Sequence, residues 1–187
     1  MGQDKALLSW PPGGNGTLLA AAIQALSEYC DLVLVVTGNN RTALEPVIDG
    51  WGATLVPNPA PEQGQFSSLQ TGLRQLLNRG WDNAMVTLVD RPPPKSCTLS
   101  RLVDDFLARE HEIWAVVPEY QGKHGHPLLV GREMIEAFLK APQTANARAV
   151  EGAYRNRLRY LSTDDPLVIA NLNTPEDYVG LKSLHSI

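Results

Sequence analysis

The chain has 187 residues, 43% of them hydrophobic, with 16 Lys and Arg against 20 Asp and Glu and a formal net charge of −4. That is enough apolar material for one domain with a continuous core, and the acidic balance excludes a broad nucleic-acid or anionic-membrane footprint, which needs clustered cations; an anionic substrate therefore needs a local basic site. Cys30 and Cys97 alone build neither a disulfide framework nor a four-Cys zinc site, no signal-peptide pattern opens the chain, and no apolar run approaches the ~20 residues of a membrane span, so a cytoplasmic location is expected.

From the amino end, "TLLAAAIQALSEY" places Leu19, Ile23 and Leu26 on one helical face with Thr17 as N-cap, and "DLVLVVTG" follows as a buried strand. "GATLVPN" reads as a strand, "SSLQTGLRQLLNRG" as a helix and "NAMVTLVD" as a second continuous apolar strand. After "RPPP" comes a helix over "SCTLSRLVDDFLAR" with Ser96 as its cap, then the strand "IWAVVPEY". Continuous apolar strands belong to a sheet covered on both faces, so the alternation predicts an α/β fold, a three-layer α/β/α sandwich on a mostly parallel, Rossmann-like sheet. Past Tyr120 the pattern becomes mixed, with some antiparallel pairing: a Gly-rich turn and strand in "QGKHGHPLLV", helices near 132–140 and 145–156, and short strands "LRYLS" and "PLVIAN". "NTPEDYVGLKSL" starts a helix with Thr174 as cap and acids in its first turn. No internal repeat or linker divides residues 1–187, which read as a single domain.

Ligands of open α/β sheets bind beyond the carboxyl ends of the strands. Asp90 ends the strand "NAMVTLVD" ahead of prolines, a place for a divalent cation or, equally in keeping with the sequence, a cap for the next turn. "VPNPAPEQGQFSSL" is a polar loop after a strand, and Ser67 and Ser68 suit a helix cap. His124 and His126 share one strand face, which serves a metal only if a third ligand is near; otherwise one lines a pocket. Asn171 and Asn173 close the last strand, and Glu176 and Asp177 read as first-turn helix stabilisers. "PPGGNGT" lacks the Gly-Lys-Ser/Thr ending of a phosphate loop and reads as a turn.

In order along the chain, "MGQDKALL", "GTLL", "NPAPEQGQFSSLQTGL", "LVDRPP", "GKHGHPLLVG" and "NLNTPEDY" resemble the motifs of the MobA/MocA-like NTP transferases, the nucleotidyltransferases of molybdenum cofactor synthesis. The resemblance spans the whole chain, and the order of the motifs carries it. It implies transfer of a nucleoside monophosphate from an NTP to a phosphorylated acceptor, molybdopterin or its metal-loaded form, with release of pyrophosphate. Lys5 would neutralise the triphosphate, Asp90 would hold Mg²⁺, and Asn173 with Asn171 would complete the metal site, although some family members carry Asp where this chain has Asn. Gly2, Asn58, Gly64 and Ser67 would contact the nucleotide and His126 the acceptor. "GQFSSL" and "GHP" lean toward CTP over GTP. A sugar-1-phosphate acceptor, or a non-catalytic chaperone of a molybdoenzyme, are the alternatives the same motifs allow.

In that family a strand and the Gly-rich half of the loop precede the Met-Gly pair. This sequence therefore reads as lacking roughly a dozen residues, a strand of ~5–6 residues plus its loop. The lost strand belongs between "DLVLVVTG" and "NAMVTLVD". Its absence predicts that those strands close on each other or that another segment fills the slot, with Lys5 displaced or mobile.

Overall fold

The computed structural model describes residues 4–180. A 3-10 turn, Lys5–Leu7, leads into a small antiparallel hairpin of β1 (Ser9–Trp10) and β2 (Gly16–Thr17), so "PPGGNGT" is a turn as expected. Helix α1 (Leu18–Ser27) follows, and the Thr17 side chain caps it by accepting from the Ala20 N–H at 3.1 Å. Then come β3 (Leu34–Thr37), α2 (Arg41–Gly50), β4 (Thr54–Pro57), α3 (Gln65–Asn78), β5 (Ala84–Val86) and α4 (Ser96–Leu107). The second half comprises β6 (Ala115–Tyr120), β7 (Lys123–His124), β8 (Leu128–Val130), α5 (Arg132–Lys140), α6 (Ala147–Ala153), β9 (Leu158–Ser162), a 3-10 turn over Pro166–Ile169, and α7 (Pro175–Gly180). Among the described residues no helix is long and apolar enough to cross a membrane.

The class is α/β, and the sheet is mixed. β3 and β4 pair in parallel; separately, β8 lies antiparallel between β5 and β6, and β9 pairs in parallel with the other side of β6. Alternation along β6 sets the layers. Ala115 and Val117 face a core with Phe66 and Leu73 of α3 and Phe138 of α5, while Val116 faces Leu102 and Phe106 of α4. On the β3–β4 pair, Val33, Val35 and Leu55 face α1 and α2 through Leu19, Ile23, Leu44 and Ile48.

Some expected elements differ. Helix α2 is unannounced because Pro46, which removes a backbone donor, sits inside it. Strand β5 stops at Val86, well short of Asp90, because Val86 pairs with Leu128 and the next residue of the partner is Pro127, which has no N–H to continue the ladder. "PLVIAN" is a 3-10 turn rather than a strand: Asp165 accepts from the Leu167 N–H at 3.0 Å and Pro166 opens the turn, so the local cap outweighs the β-branched run. Helix α4 begins at Ser96 itself, and the buried Asp165 carboxylate serves its first turn by accepting from Lys95 N at 2.8 Å and Thr98 Oγ1 at 2.9 Å.

The largest departure lies between β3 and β5. They neither pair with each other nor receive another strand among the described residues; an open cavity of about 1610 Å³ passes between them, lined there by Leu34, Val36, Leu69, Leu73, Met85 and Val86, and extends on to α6 at Ala147 and Arg148. Two helices hold the halves of the molecule at this width. On one face α3 seats Gly72 against Val36, where an added Cβ would stand 2.9 Å from the Val36 side chain, and ties to α5 through Gln70 Nε2, which donates to the Phe138 and Ala141 carbonyls at 2.9 Å each. On the other face the turn that ends α1 ties to α4 through the Tyr29 hydroxyl, which donates to the Ser96 carbonyl at 3.0 Å. Bringing β3 against β5 would break both ties and the packing under them.

Thr54 N and Asn58 N donate to the Val33 and Thr37 carbonyls, each at 2.8 Å, so the odd residues of β3 face β4. By the two-residue period of a strand, Leu34 and Val36 turn their backbone groups toward the slot. Their amides are expected to exchange with solvent deuterium faster than those of Val35 and Thr37. Residue-resolved exchange by NMR checks this, and equal protection would mean that the slot is filled in solution.

Candidate functional site

The carboxyl ends of β3, β4 and β5 open on one side of the molecule, and loops from each meet there. The end of β3 runs through Gly38 to Asn40, whose Nδ2 donates to Asp4 Oδ2 at 2.6 Å, while Asp4 Oδ1 accepts from Ala6 N at 3.0 Å. The beginning of the described chain is thereby anchored over β3, and the next residue reaches over β5. Lys5 Nζ donates to Asn173 Oδ1 at 3.0 Å and stands 3.8 Å from Asp90 Oδ2. Lys5 is therefore seated rather than displaced, because Asp4 fixes the turn that carries it.

Asp90 lies four residues beyond β5, in a turn closed by Arg91 N donating to the Leu88 carbonyl at 3.0 Å. Its carbonyl accepts from Leu172 N at 2.9 Å, and this single bond joins the β5 end to the segment carrying Asn171 and Asn173. Arg91 Nη1 adds two bonds to that segment, to the carbonyls of Ile169 at 3.1 Å and Ala170 at 3.0 Å. Asn173 is held from the other side: Asp177 Oδ2 accepts from the backbone N–H groups of Asn173 at 3.0 Å and Thr174 at 2.9 Å, and Thr174 Oγ1 accepts from Asp177 N at 3.2 Å. Those bonds, led by the one from Thr174, hold the Asp177 carboxyl below its ordinary range, as expected for a residue that fixes a helix start.

Within this cluster Asp90 Oδ1 and Asn171 Oδ1 are buried and have no hydrogen-bond partner. Leaving such acceptors unpaired costs ~1–3 kcal/mol each. Both are hard oxygen atoms suited to a cation of the Mg²⁺ type, and no group of three or more His, Cys, Asp or Glu stands together among the described residues. The donor set thus fits a divalent ion held by one carboxylate, amide oxygens and the phosphates of a ligand, and fits a stand-alone protein cage poorly.

The loop after β4 is built internally. Asn58 Nδ2 donates to Ser67 Oγ at 2.8 Å and Ser68 Oγ at 3.0 Å, Asn58 Oδ1 accepts from Ala60 N at 2.9 Å, and Ser67 Oγ lies 2.8 Å from the Gly64 carbonyl and 3.2 Å from that of Ala60. Asn58 and Ser67 are buried and occupied with shaping the loop. Gly64 has φ 86° and ψ −171°, a conformation that needs glycine, and no atom lies within 4 Å of where its Cβ would be. Pro61 of this loop touches Gly38, so the loop stands beside the Asp4 and Asn40 anchor. Gly2 lies outside the described residues.

His126 sits below the cluster. Its backbone N–H donates to the Val168 carbonyl at 2.8 Å, and Gly125 presses so closely on Val168 that a Cβ there would collide with that carbonyl. The imidazole bonds the Val86 backbone, its Nδ1 is buried without a partner, and burial, reinforced by the Arg91 charge, lowers its pKa to about 4. His124 is apart from it, stacked on Tyr160 at 4.0 Å with Nε2 3.4 Å from Glu119 Oε2, so the two histidines do not share a ligand. Of the residues expected at the site, Lys5, Asp90 and Asn173 stand together and Asn171 adjoins them through Leu172; Asp4, Asn40 and Arg91, which the sequence did not single out, hold them. Arg91 stood beside a candidate ligand in "VDRPP", but its role depends on a turn that the sequence presents as a strand.

Comparison with known proteins adds the following. The sequence profile of the MobA-like NTP transferase domain matches residues 1–158. The chain is 24% identical over 193 aligned positions, covering 100% of this chain and 91% of the relative, to the molybdenum cofactor cytidylyltransferase of Escherichia coli K12. Among solved structures it superimposes on Rv0371c of Mycobacterium tuberculosis H37Rv in complex with manganese, with a TM-score of 0.75, 22% identity and coverage of 98% of this chain and 92% of that one. A nucleotidyl transferase from Methanothermobacter gives a TM-score of 0.78 at 20% identity, over 98% of this chain and 86% of that one.

His126 generates a prediction about stability. Its folded-state pKa lies below the unfolded value near 6.5, so its contribution is complete above pH 6.5 and is lost as pH falls toward about 4. The shift corresponds to roughly 3 kcal/mol at most. In urea titrations the wild type should lose stability across that window, and His126→Gln should flatten the decline; parallel profiles would show that His126 is not the titrating group.

Proposed function

Because the chain belongs to the MobA-like NTP transferase family, we propose that it transfers a cytidylyl group from CTP to the phosphate of molybdopterin or its molybdenum-loaded form, releasing pyrophosphate. The single observation that carries the placement of the chemistry is the convergence of Lys5, Asp90, Asn171 and Asn173 at the carboxyl ends of β3 and β5, with two buried oxygens left unpaired. Asp90 Oδ1, Asn171 Oδ1 and Asn173 Oδ1 are the oxygens that would hold Mg²⁺. When bound, the cation neutralises phosphate charge at the reacting centre. Lys5 bridges Asp90 and Asn173 in the nucleotide-free chain; with a triphosphate present its ammonium turns to the phosphates and frees those oxygens. No covalent enzyme intermediate is needed, and the chain's part is positioning and charge compensation.

The loop 58–68 frames the base and ribose, with Asn58 and Ser67 keeping its shape and Gly64 giving the backbone its turn. His126, uncharged near neutral pH, offers Nδ1 to a donor group of the acceptor. The E. coli relative is a cytidylyltransferase, which favours CTP over GTP here. The free thiols of Cys30 and Cys97 suit the cytoplasm. The neutral amides of Asn171 and Asn173 keep one other reading in play, a cofactor-binding chaperone for a molybdoenzyme; loss of transfer on changing Asp90 separates the two.

With Mg²⁺ and molybdenum-loaded molybdopterin, pyrophosphate release should be fastest with CTP, and Asp90→Ala should lower the rate at least ~10²-fold if the cation supplies a few kcal/mol at the transition state. No release with any of the four NTPs would reject the reading, and release with a sugar 1-phosphate in place of molybdopterin would reassign the acceptor.

The slot between β3 and β5 supports a further part of the reading. Asp4 and Lys5 stand at its mouth, bonded to the β3 side and the β5 side respectively, so an extended apolar strand joined through a Gly-rich loop to residue 1 would leave the slot at this point. Backbone donors of such a loop serve phosphates. A form extended in this way should bind CTP with Mg²⁺ at least ~10-fold more tightly by calorimetry than the chain of 187 residues. Equal affinities would exclude a role for that segment.

A further inference from the structure

Arg91 is a cation beside the cluster that the proposed reaction does not use. Its guanidinium is engaged with the backbone: Nη1 donates to two consecutive carbonyls, Ile169 at 3.1 Å and Ala170 at 3.0 Å. Consecutive carbonyls of an extended strand point to opposite sides, so a single nitrogen cannot serve both. Here they converge because Pro166–Ile169 is a 3-10 turn, closed by Ala170 N donating to the Leu167 carbonyl at 3.1 Å. The last carbonyls of a helical turn lack internal partners. Arg91 supplies them, and the residues that follow directly are Asn171, Leu172 and Asn173.

We propose that Arg91 is a positioning residue: by capping the Pro166–Ile169 turn from the β5 side it sets where Asn171 and Asn173 stand relative to Asp90. The inference rests on the reading of that cluster as the cation site. Three bonds cross from the Asp90 turn to this segment, the two from Nη1 and the one from Leu172 N to the Asp90 carbonyl. The segment is also held upstream, where the Val168 carbonyl accepts from His126 N at 2.8 Å, and downstream by Asp177; between these anchors the guanidinium adds a hold on the two carbonyls directly before Asn171. A Lys at position 91 carries the charge on a point-like ammonium without the planar fork and fits the pair of carbonyls less well.

The test uses the whole chain with Arg91→Met, Arg91→Lys and Asp90→Ala, and two readouts: Mn²⁺ affinity by electron paramagnetic resonance, and deuterium exchange of the Leu172 amide by NMR. Arg91→Met should speed Leu172 exchange and weaken Mn²⁺ binding, each at least ~10-fold, since bonds from a charged donor are lost. Arg91→Lys should fall between it and the wild type, and Asp90→Ala should abolish Mn²⁺ binding. A merely structural arginine would lower the melting temperature and leave the Mn²⁺ affinity of the folded protein unchanged, which overturns the proposal, as does wild-type exchange at Leu172 in Arg91→Met. If the wild type itself binds no Mn²⁺, the cation reading fails on its own, and Leu172 exchange alone decides the role of Arg91.

Discussion

The hydrogen bond from Leu172 N to the Asp90 carbonyl is the contact on which the site depends. It joins points more than eighty residues apart in the chain, the turn after β5 and the segment before α7. Neither is in regular structure, so nothing in a sheet ladder fixes their separation. The bond does so directly, and the side chains around it are arranged from both ends: Arg91 holds the approach at Ile169 and Ala170, and Asp177 holds the exit at Asn173 and Thr174. A site built this way has its candidate side chains on short loops and its rigidity in the backbone bonds beneath them.

Charge is economical in the same region. The molecule carries a net charge of −4, so it offers a polyphosphate no broad attraction. Lys5 is a local exception, placed by Asp4 through a two-residue relay from Asn40. Its ammonium rests 3.8 Å from Asp90 Oδ2, partly exposed, which is a weak pair and easily exchanged for a stronger anion. The buried Oδ1 of the same carboxylate is the atom left without compensation. One carboxylate therefore has one oxygen satisfied loosely and one not at all.

How much of this the sequence discloses depends on whether a feature is local. Thr17 capping α1, the helix face of Leu19 and Ile23, and Asp177 serving the start of α7 are relations over three or four residues, and periodicity and cap chemistry expose them. The ordered motifs also placed Lys5, Asp90, Asn171 and Asn173 together. What stayed hidden involves competition between distant partners. Strand β5 ends at Val86 because of Pro127, forty-one residues on, and "PLVIAN" bends because Asp165 is drawn in by Lys95 and Thr98 of another helix start. Arg91 could not be assigned a role while its acceptors were taken for strand carbonyls.

The separation of β3 from β5 belongs to the same argument. From the strands alone, unpaired edges should close, since each buried backbone group left open has a cost. The helices answer differently. α3 is already committed to Val36 on one side and to the Phe138 and Ala141 carbonyls on the other, and α1 is committed to the β3 core through Ile23 and, through Tyr29 of the turn that ends it, to α4. Each helix reaches across the gap between β3 and the β5 half of the molecule. Collapse would trade the packing of α3 and the Tyr29 bond to α4 for a few ladder bonds whose net worth is ~1 kcal/mol apiece. The width of the slot is thus a property of the layers above and below it, and Asp4 and Lys5, fastened one to each bank, keep the mouth of the slot in register with the site.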